Sequence, residues 1–113
     1  MLAPAPQLLA ATQSAASAWQ AYRGCPLFEI APAGMPVDYL PGWPGECEHL
    51  DSVACTSNGV FLNLAAHDYD AASVIAHELG HVLNYKHGEG PAIMDPASWS
   101  GPGTVWCTLE SRC

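Results

Sequence analysis

The clearest helical pattern lies in the second half of the chain, where apolar positions recur at intervals of three and four residues. These positions are Val74, Ile75, Leu79, Val82 and Leu83. Because an α-helix has about 3.6 residues per turn, they share one face, which we expect to pack against a sheet. The pattern predicts a helix over 71–83. Asp70 directly precedes it and is suited to cap the free N–H groups of its first turn.

A second amphipathic pattern runs from Gln7 to Tyr22. The positions expected on its buried side are Leu8, Ala11, Ala15, Ala18, Trp19 and Tyr22. Gly24 follows and is expected to end this helix, because glycine adopts a left-handed conformation at low cost. The small residues Ala16-Ser17-Ala18 resemble a signal-peptide cleavage site. However, no basic segment precedes them and polar residues interrupt the apolar stretch, so we expect a helix of the folded domain here.

Shorter apolar segments bounded by proline and glycine predict β-strands. Leu27–Ala31 and Val37–Leu40 are of this kind. Ser52–Thr56 and Val60–Leu64 flank an Asn-Gly pair at 58–59. Asn-Gly is a strong signal for a tight antiparallel hairpin. Helices combined with short strands in one small chain predict an α+β domain.

Length and charge narrow the class of protein. A chain of 113 residues corresponds to a single domain, 1–113. Its net charge of −8 argues against nucleic acid and anionic membrane surfaces as partners. No uninterrupted apolar run approaches the roughly 20 residues that span a bilayer. We therefore expect a soluble monomer.

Five cysteines in so small a chain predict an oxidising compartment and an extracellular, secreted protein. Cys47 and Cys55 could close one small loop, and Cys107 and Cys113 another, which would leave Cys25 over. A bond from Cys25 to a C-terminal cysteine is equally allowed, because connectivity cannot be derived from spacing.

The motif His77-Glu78-Leu79-Gly80-His81 lies inside the predicted helix 71–83. His77 and His81 project from one face about one turn apart, so both imidazoles can bind one ion at the roughly 2.0–2.1 Å that zinc requires. Glu78 lies about 100° further round the helix axis, where it can reach a water on the metal. His87 is the nearest candidate for a third ligand. Three histidines leave one tetrahedral position open, which is typical of catalytic zinc sites.

This segment resembles the metzincin clan of zinc endopeptidases, whose motif is H-E-x-x-H-x-x-G-x-x-H followed by a methionine turn. The residues that match the motif are His77, Glu78, His81 and His87. Met94, within Ile93-Met94-Asp95-Pro96, matches the Met-turn, and the short gap before it is most similar to the matrixins. Asn84 stands where the motif has glycine. Asn tolerates well the left-handed conformation expected at that position.

The resemblance implies a zincin-like fold. Its parts are an N-terminal helix ahead of the first strand, a small twisted mixed sheet with an antiparallel edge strand, and the active-site helix. A short C-terminal subdomain after the Met-turn would follow, so that 1–87 forms the upper part and 88–113 the lower part. The edge strand, through Val53, Ala54 and Cys55, would hold an extended substrate by main-chain hydrogen bonds. The Met94 sulfur would support the three imidazoles from below without binding the metal.

The function implied is zinc-dependent endopeptidase activity, with Zn²⁺ as cofactor and a peptide or protein as substrate. Metal-activated water would attack the peptide bond, and Glu78 would act as general base. A bare H-E-x-x-H occurs by chance in many helices, so two alternatives stay open. One is a catalytically silent zinc-binding domain that binds a partner through the same cleft. The other is a disulfide-stapled protein-interaction module in which the motif is accidental.

Overall fold

The computed structural model describes residues 1–40, 49–50, 54–56, 59–63, 70–90 and 92–94, which form an α+β arrangement of two helices and a small mixed sheet. The helices and strands in chain order are β1 (Leu2–Pro4), α1 (Leu9–Arg23), β2 (Met35–Leu40), β3 (His49–Leu50), β4 (Ala54–Thr56), β5 (Val60–Asn63) and α2 (Ala71–Val82). One turn of 3-10 helix, Pro6–Leu8, leads into α1, and another, Ala92–Met94, follows α2.

The sheet is mixed, as predicted, with the order β1-β2-β5-β4-β3 among the described strands. β1, β2 and β5 run parallel, whereas β4 and β3 are antiparallel to their neighbours. Thr56 of β4 lies opposite Val60 of β5, which confirms the predicted antiparallel pairing of these two segments.

The first strand is not where the sequence pattern places it. Residues 27–31 form no strand, and a single bridge joins Ile30 to Leu2. The Leu2 N–H donates to the Glu29 carbonyl at 2.6 Å, and the Ala31 N–H donates to the Leu2 carbonyl at 2.8 Å. Leu2 begins β1, which precedes α1, so the expectation of a helix ahead of the first strand is also wrong. A three-residue strand that ends in proline has too few positions to show a period of two.

The substrate-edge prediction for Val53, Ala54 and Cys55 also needs correction. Cys55 lies opposite Phe61 of β5 on one side and opposite Leu50 of β3 on the other. Its strand is therefore internal, and the antiparallel strand at this end of the described sheet is β3. Ala54 and Cys55 are fully buried, and Val53 lies outside the described residues. A two-residue strand such as β3 leaves no pattern in the sequence from which its pairing could be predicted.

Three of the six positions expected on the buried side of α1 are buried, together with one polar residue, and the other three are partly buried. Leu8, Ala15 and Trp19 are buried, and so is Thr12. The Thr12 hydroxyl donates to the Leu8 carbonyl at 2.7 Å, which satisfies the polar group without water. Gly24 adopts a φ of 80° and its N–H donates to the Gln20 carbonyl, so the predicted helix stop is confirmed.

Helix α2 begins at the predicted cap. The Asp70 carboxylate accepts from the Ser73 N–H at 3.1 Å and from the Ser73 hydroxyl at 2.5 Å. Every residue from Ser73 to His81 is buried, because α2 packs against α1 on one side and against β4 and β5 on the other. The Trp19 indole N–H donates to the Ala76 carbonyl at 2.8 Å and ties the two helices together.

Several sequence predictions concern parts of the chain outside the described residues. They include Cys47, Cys107 and Cys113, and most of the lower part 88–113, of which 88–90 and 92–94 are described. Within the part of the chain that the structure describes, no helix combines the length and the apolar character needed to cross a membrane.

The cap of α2 can be tested by substitution. Asp70→Ala removes the acceptor for the Ser73 N–H, so the free energy of unfolding should fall by about 1 kcal/mol in urea denaturation. Asp70→Asn is the matched control, because asparagine caps as well as aspartate but carries no charge. An equal loss in both variants would show that the charge matters and the cap does not.

Candidate metal centre

Helix α2 carries His77, Glu78 and His81 into the interior. His77 and Glu78 are fully buried, and His81 is 5% exposed. The imidazole centroids of His77 and His81 lie 4.9 Å apart, as expected for residues one helical turn apart on the same face. The helix therefore presents two buried imidazoles side by side.

The third histidine is brought back by the turn that ends α2. Asn84 has a φ of 69°, which confirms the predicted left-handed conformation. The Asn84 N–H donates to the His81 carbonyl at 3.0 Å, and the Tyr85 N–H donates to the Gly80 carbonyl at 2.9 Å. These two bonds are those of a Schellman motif, which reverses the chain at a helix C-terminus. Beyond it, the exposed His87 ring lies 5.0 Å from both other imidazole centroids.

The three side chains converge on a volume the size of one ion. Among the described residues, His77, His81 and His87 form a group whose possible ligand atoms all lie within 4.8 Å of one another. The Nε2 atoms of His77 and His87 are 3.1 Å apart. Tetrahedral ligands at 2.0–2.1 Å from zinc would lie about 3.3 Å from each other. The distance between these two nitrogens therefore fits a small tetrahedral cation.

Hydrogen bonds behind two of the imidazoles determine which nitrogen faces that volume. His77 Nδ1 lies 2.7 Å from the Ile93 carbonyl oxygen, and His81 Nδ1 lies 2.9 Å from the Tyr85 carbonyl oxygen. A carbonyl can only accept, so each Nδ1 must donate its proton. In the neutral imidazole the Nε2 lone pair then points to the centre. Metal-binding histidines are held in this way by a second hydrogen bond, and the donor set here fits such a site.

Helix α1 supports the site through Tyr85. The Tyr85 ring stacks on Trp19, with centroids 5.3 Å apart and an interplanar angle of 23°. Arg23 Nη1 donates to the Tyr85 hydroxyl at 3.3 Å. Because the Tyr85 carbonyl holds His81, these contacts of the Tyr85 side chain also fix an imidazole. The sequence pattern predicts Trp19 in the core but does not predict the role of Tyr85. Tyr85 holds His81 through its backbone carbonyl, a group that every residue type has.

Met94 packs under the helix at a glycine. Met94 is fully buried, and a Cβ added to Gly80 would overlap the Met94 sulfur. The same Cβ would lie 2.9 Å from Met94 Cε and 2.9 Å from Trp19 Cζ2. The Gly88 N–H donates to the Met94 carbonyl at 3.0 Å, which joins the 3-10 turn to the segment that carries His87. Because Gly80 has no side chain, Met94 can pack directly against the backbone of α2 within the histidine motif.

The Glu78 carboxylate lies beside the converging nitrogens. Its Oε2 is 3.8 Å from His77 Nε2, and its Oε1 accepts a hydrogen bond of 2.8 Å from the Thr56 hydroxyl. The carboxylate thus lies at the border of the histidine group, next to His77 Nε2 and fully buried. Thr56 was not singled out from the sequence. Its role becomes visible in the structure, where Thr56 is a polar residue in a strand whose three positions are all buried.

Comparison with known proteins does not identify a family. A scan against protein-family models found no match, and searches of curated proteins and of solved structures found none either. Any conclusion about function therefore has to be based on the geometry of the described residues.

The fit of Met94 against Gly80 predicts an unusual sign for a helix substitution. Gly→Ala in a helix interior normally adds roughly 0.5–1 kcal/mol of stability. Gly80→Ala should instead reduce the free energy of unfolding, by about 1–3 kcal/mol, because the new methyl group overpacks the core. Urea denaturation measures the change. In a Met94→Ala background the same substitution should cost clearly less, and stabilisation of the parent by Gly80→Ala would contradict the packing described here.

The candidate metal site can be tested at His87, the exposed histidine of the group. His87→Ala should weaken zinc binding by more than about 100-fold, because a ligand is lost and not merely a supporting hydrogen bond. Competition with a chromogenic chelator measures the dissociation constant. Lys86→Ala is the control, since Lys86 is the exposed neighbour on the same turn. Equal zinc affinity in His87→Ala and Lys86→Ala would exclude His87 from the site.

Proposed function

We propose that this protein is a zinc-dependent endopeptidase with a metzincin-like, matrixin-like catalytic domain. The observation that carries the proposal is the convergence of His77, His81 and His87 with a buried carboxylate at its border. Glu78 Oε2 lies 3.8 Å from His77 Nε2. Neither an accidental motif nor a purely structural metal site requires a carboxylate in that place.

The three imidazoles would hold Zn²⁺ through their Nε2 atoms. Imidazole nitrogen suits several divalent transition metals, but three histidines with an open fourth position are typical of catalytic zinc. Bound zinc would polarise the scissile carbonyl and lower the pKa of water towards about 7. The backbone carbonyls of Ile93 and Tyr85 would keep His77 and His81 oriented throughout the reaction.

Glu78 would move the proton. As general base it would accept a proton from the attacking water at Oε2, and as general acid it would pass that proton to the leaving amine. The fully buried carboxylate is sheltered from bulk water, so a proton held there is not lost to solvent. Oε1 remains bound to the Thr56 hydroxyl on the side away from the reaction.

The substrate would be a peptide or protein, and the enzyme would act as a secreted monomer in an oxidising compartment. The five cysteines of this small chain support disulfide formation. Disulfides persist outside the cytosol, which supports this location. With a net charge of −8, acidic peptides are the less favoured substrates.

The proposal is tested by separating metal binding from turnover. Glu78→Gln should keep one zinc per chain and lose roughly 10²–10⁴-fold in kcat, because the amide cannot accept the proton. Cleavage of a fluorogenic peptide library with and without chelator gives turnover, and metal analysis gives zinc content. Glu29→Gln is the control, since Glu29 is exposed and lies in the segment beside β1.

The results of these measurements distinguish the proposed peptidase from the two alternative functions. Parent-like cleavage by Glu78→Gln would show that Glu78 is not the base. Stoichiometric zinc without chelator-sensitive cleavage by the parent protein would indicate a silent zinc-binding domain. No zinc at all would indicate an interaction module in which the motif is accidental.

A further inference from the structure

We propose that Thr56 is a positioning residue for Glu78, and that its hydroxyl fixes the carboxylate in the orientation that general-base catalysis needs. This inference rests on the proposed function. Thr56 lies outside the histidine motif and on a different element, β4, so nothing in the motif itself assigns it a role.

The contact is direct and well formed. Thr56 Oγ1 is 2.8 Å from Glu78 Oε1 and 3.3 Å from the Glu78 backbone carbonyl. A hydroxyl has one proton, and the shorter distance to the carboxylate is the usual one for O–H···O bonds. Thr56 is 2% exposed and Glu78 is fully buried, so water does not compete for this bond.

The hydroxyl is itself held by the sheet. Thr56 lies opposite Val60 of β5 and opposite His49 of β3, so its backbone is paired on both sides. Threonine is branched at Cβ, which restricts rotation about χ1. The donor is therefore placed by the β-sheet, whereas the acceptor is placed by α2.

Fixing one carboxylate oxygen determines the position of the other. The terminal torsion of glutamate is broad and nearly free, so helix α2 alone does not orient the carboxylate plane. With Oε1 bound to Thr56, Oε2 lies 3.8 Å from His77 Nε2, at the border of the histidine group. A general base has to come within about 2.6–3.2 Å of the atom whose proton it takes. Without the Thr56 hydrogen bond, rotation about this torsion would move Oε2 away from its position at the border of the histidine group.

The chain provides a matched control for the test. Thr12 is also fully buried, and its hydroxyl also donates a hydrogen bond, at 2.7 Å to the Leu8 carbonyl. Thr→Val has nearly the same shape at both positions and removes one buried hydroxyl from each. The two substitutions differ in that Thr12 bonds to the backbone of Leu8, the residue that precedes its helix, while Thr56 bonds to the Glu78 side chain.

The kinetic experiment compares Thr56→Val, Thr56→Ser and Thr12→Val in the zinc-loaded protein. Thr56→Val should lose about 10²-fold in kcat, the scale of a catalytic group misplaced by about 1 Å. KM and zinc content should stay within about twofold of the parent, because substrate and metal contacts are unchanged. Thr56→Ser keeps the hydroxyl and should recover most of the loss, and Thr12→Val should keep the parent kcat.

A second readout needs no metal and no activity. In metal-free protein, Thr56→Val and Glu78→Ala should be non-additive by roughly tenfold in the unfolding equilibrium, because both remove the same hydrogen bond. Thr12→Val and Glu78→Ala should be additive. Urea denaturation of the single and double variants measures both pairs.

The outcomes distinguish this inference from the function on which it rests. If the parent cleaves peptides and Thr56→Val cleaves as fast, or Thr12→Val loses as much, the positioning role is wrong and the proposed function stands. Additive effects of Thr56→Val and Glu78→Ala would overturn the positioning role as well. A parent without chelator-sensitive cleavage overturns the proposed function, and the role of Thr56 with it.

Discussion

The site depends on one backbone conformation, the left-handed turn at Asn84. Had α2 continued beyond Leu83, His87 would lie ten residues past His77, about 15 Å further along the helix axis. Instead the Asn84 and Tyr85 N–H groups close on the His81 and Gly80 carbonyls, and His87 Nε2 comes within 3.1 Å of His77 Nε2. A local capping motif thus turns two histidines on a helix into a three-histidine centre.

Each layer of the fold supplies one support to that centre. Helix α1 holds Tyr85 through Trp19 and Arg23, and the Tyr85 carbonyl orients His81. The 3-10 turn Ala92–Met94 supplies the Ile93 carbonyl behind His77, and β4 supplies Thr56. Since these supports exist only once the layers have packed, metal affinity and folding should be thermodynamically coupled.

What could be predicted from the sequence follows the range of the interactions involved. The Asp70 cap, the stop at Gly24, the helix α2 and the left-handed Asn84 depend on neighbours within a few residues, and the structure confirms them. β1 and β3 depend on pairing with distant strands and are too short to show a period. The role of Thr56 leaves no local pattern in the sequence either, because its partner Glu78 lies on another element.

The burial of Glu78 bears on the choice between an enzyme and a silent metal site. A fully buried carboxylate loses its hydration, and this loss destabilises the fold unless the protein replaces the lost hydrogen bonds. Here the sheet replaces one of them through Thr56, although an apolar residue at position 78 would pack against β4 with no such requirement. A histidine triad that only holds a metal does not need this arrangement. A base that must accept a proton away from bulk water does, and this favours catalysis as the reason for a carboxylate at this position.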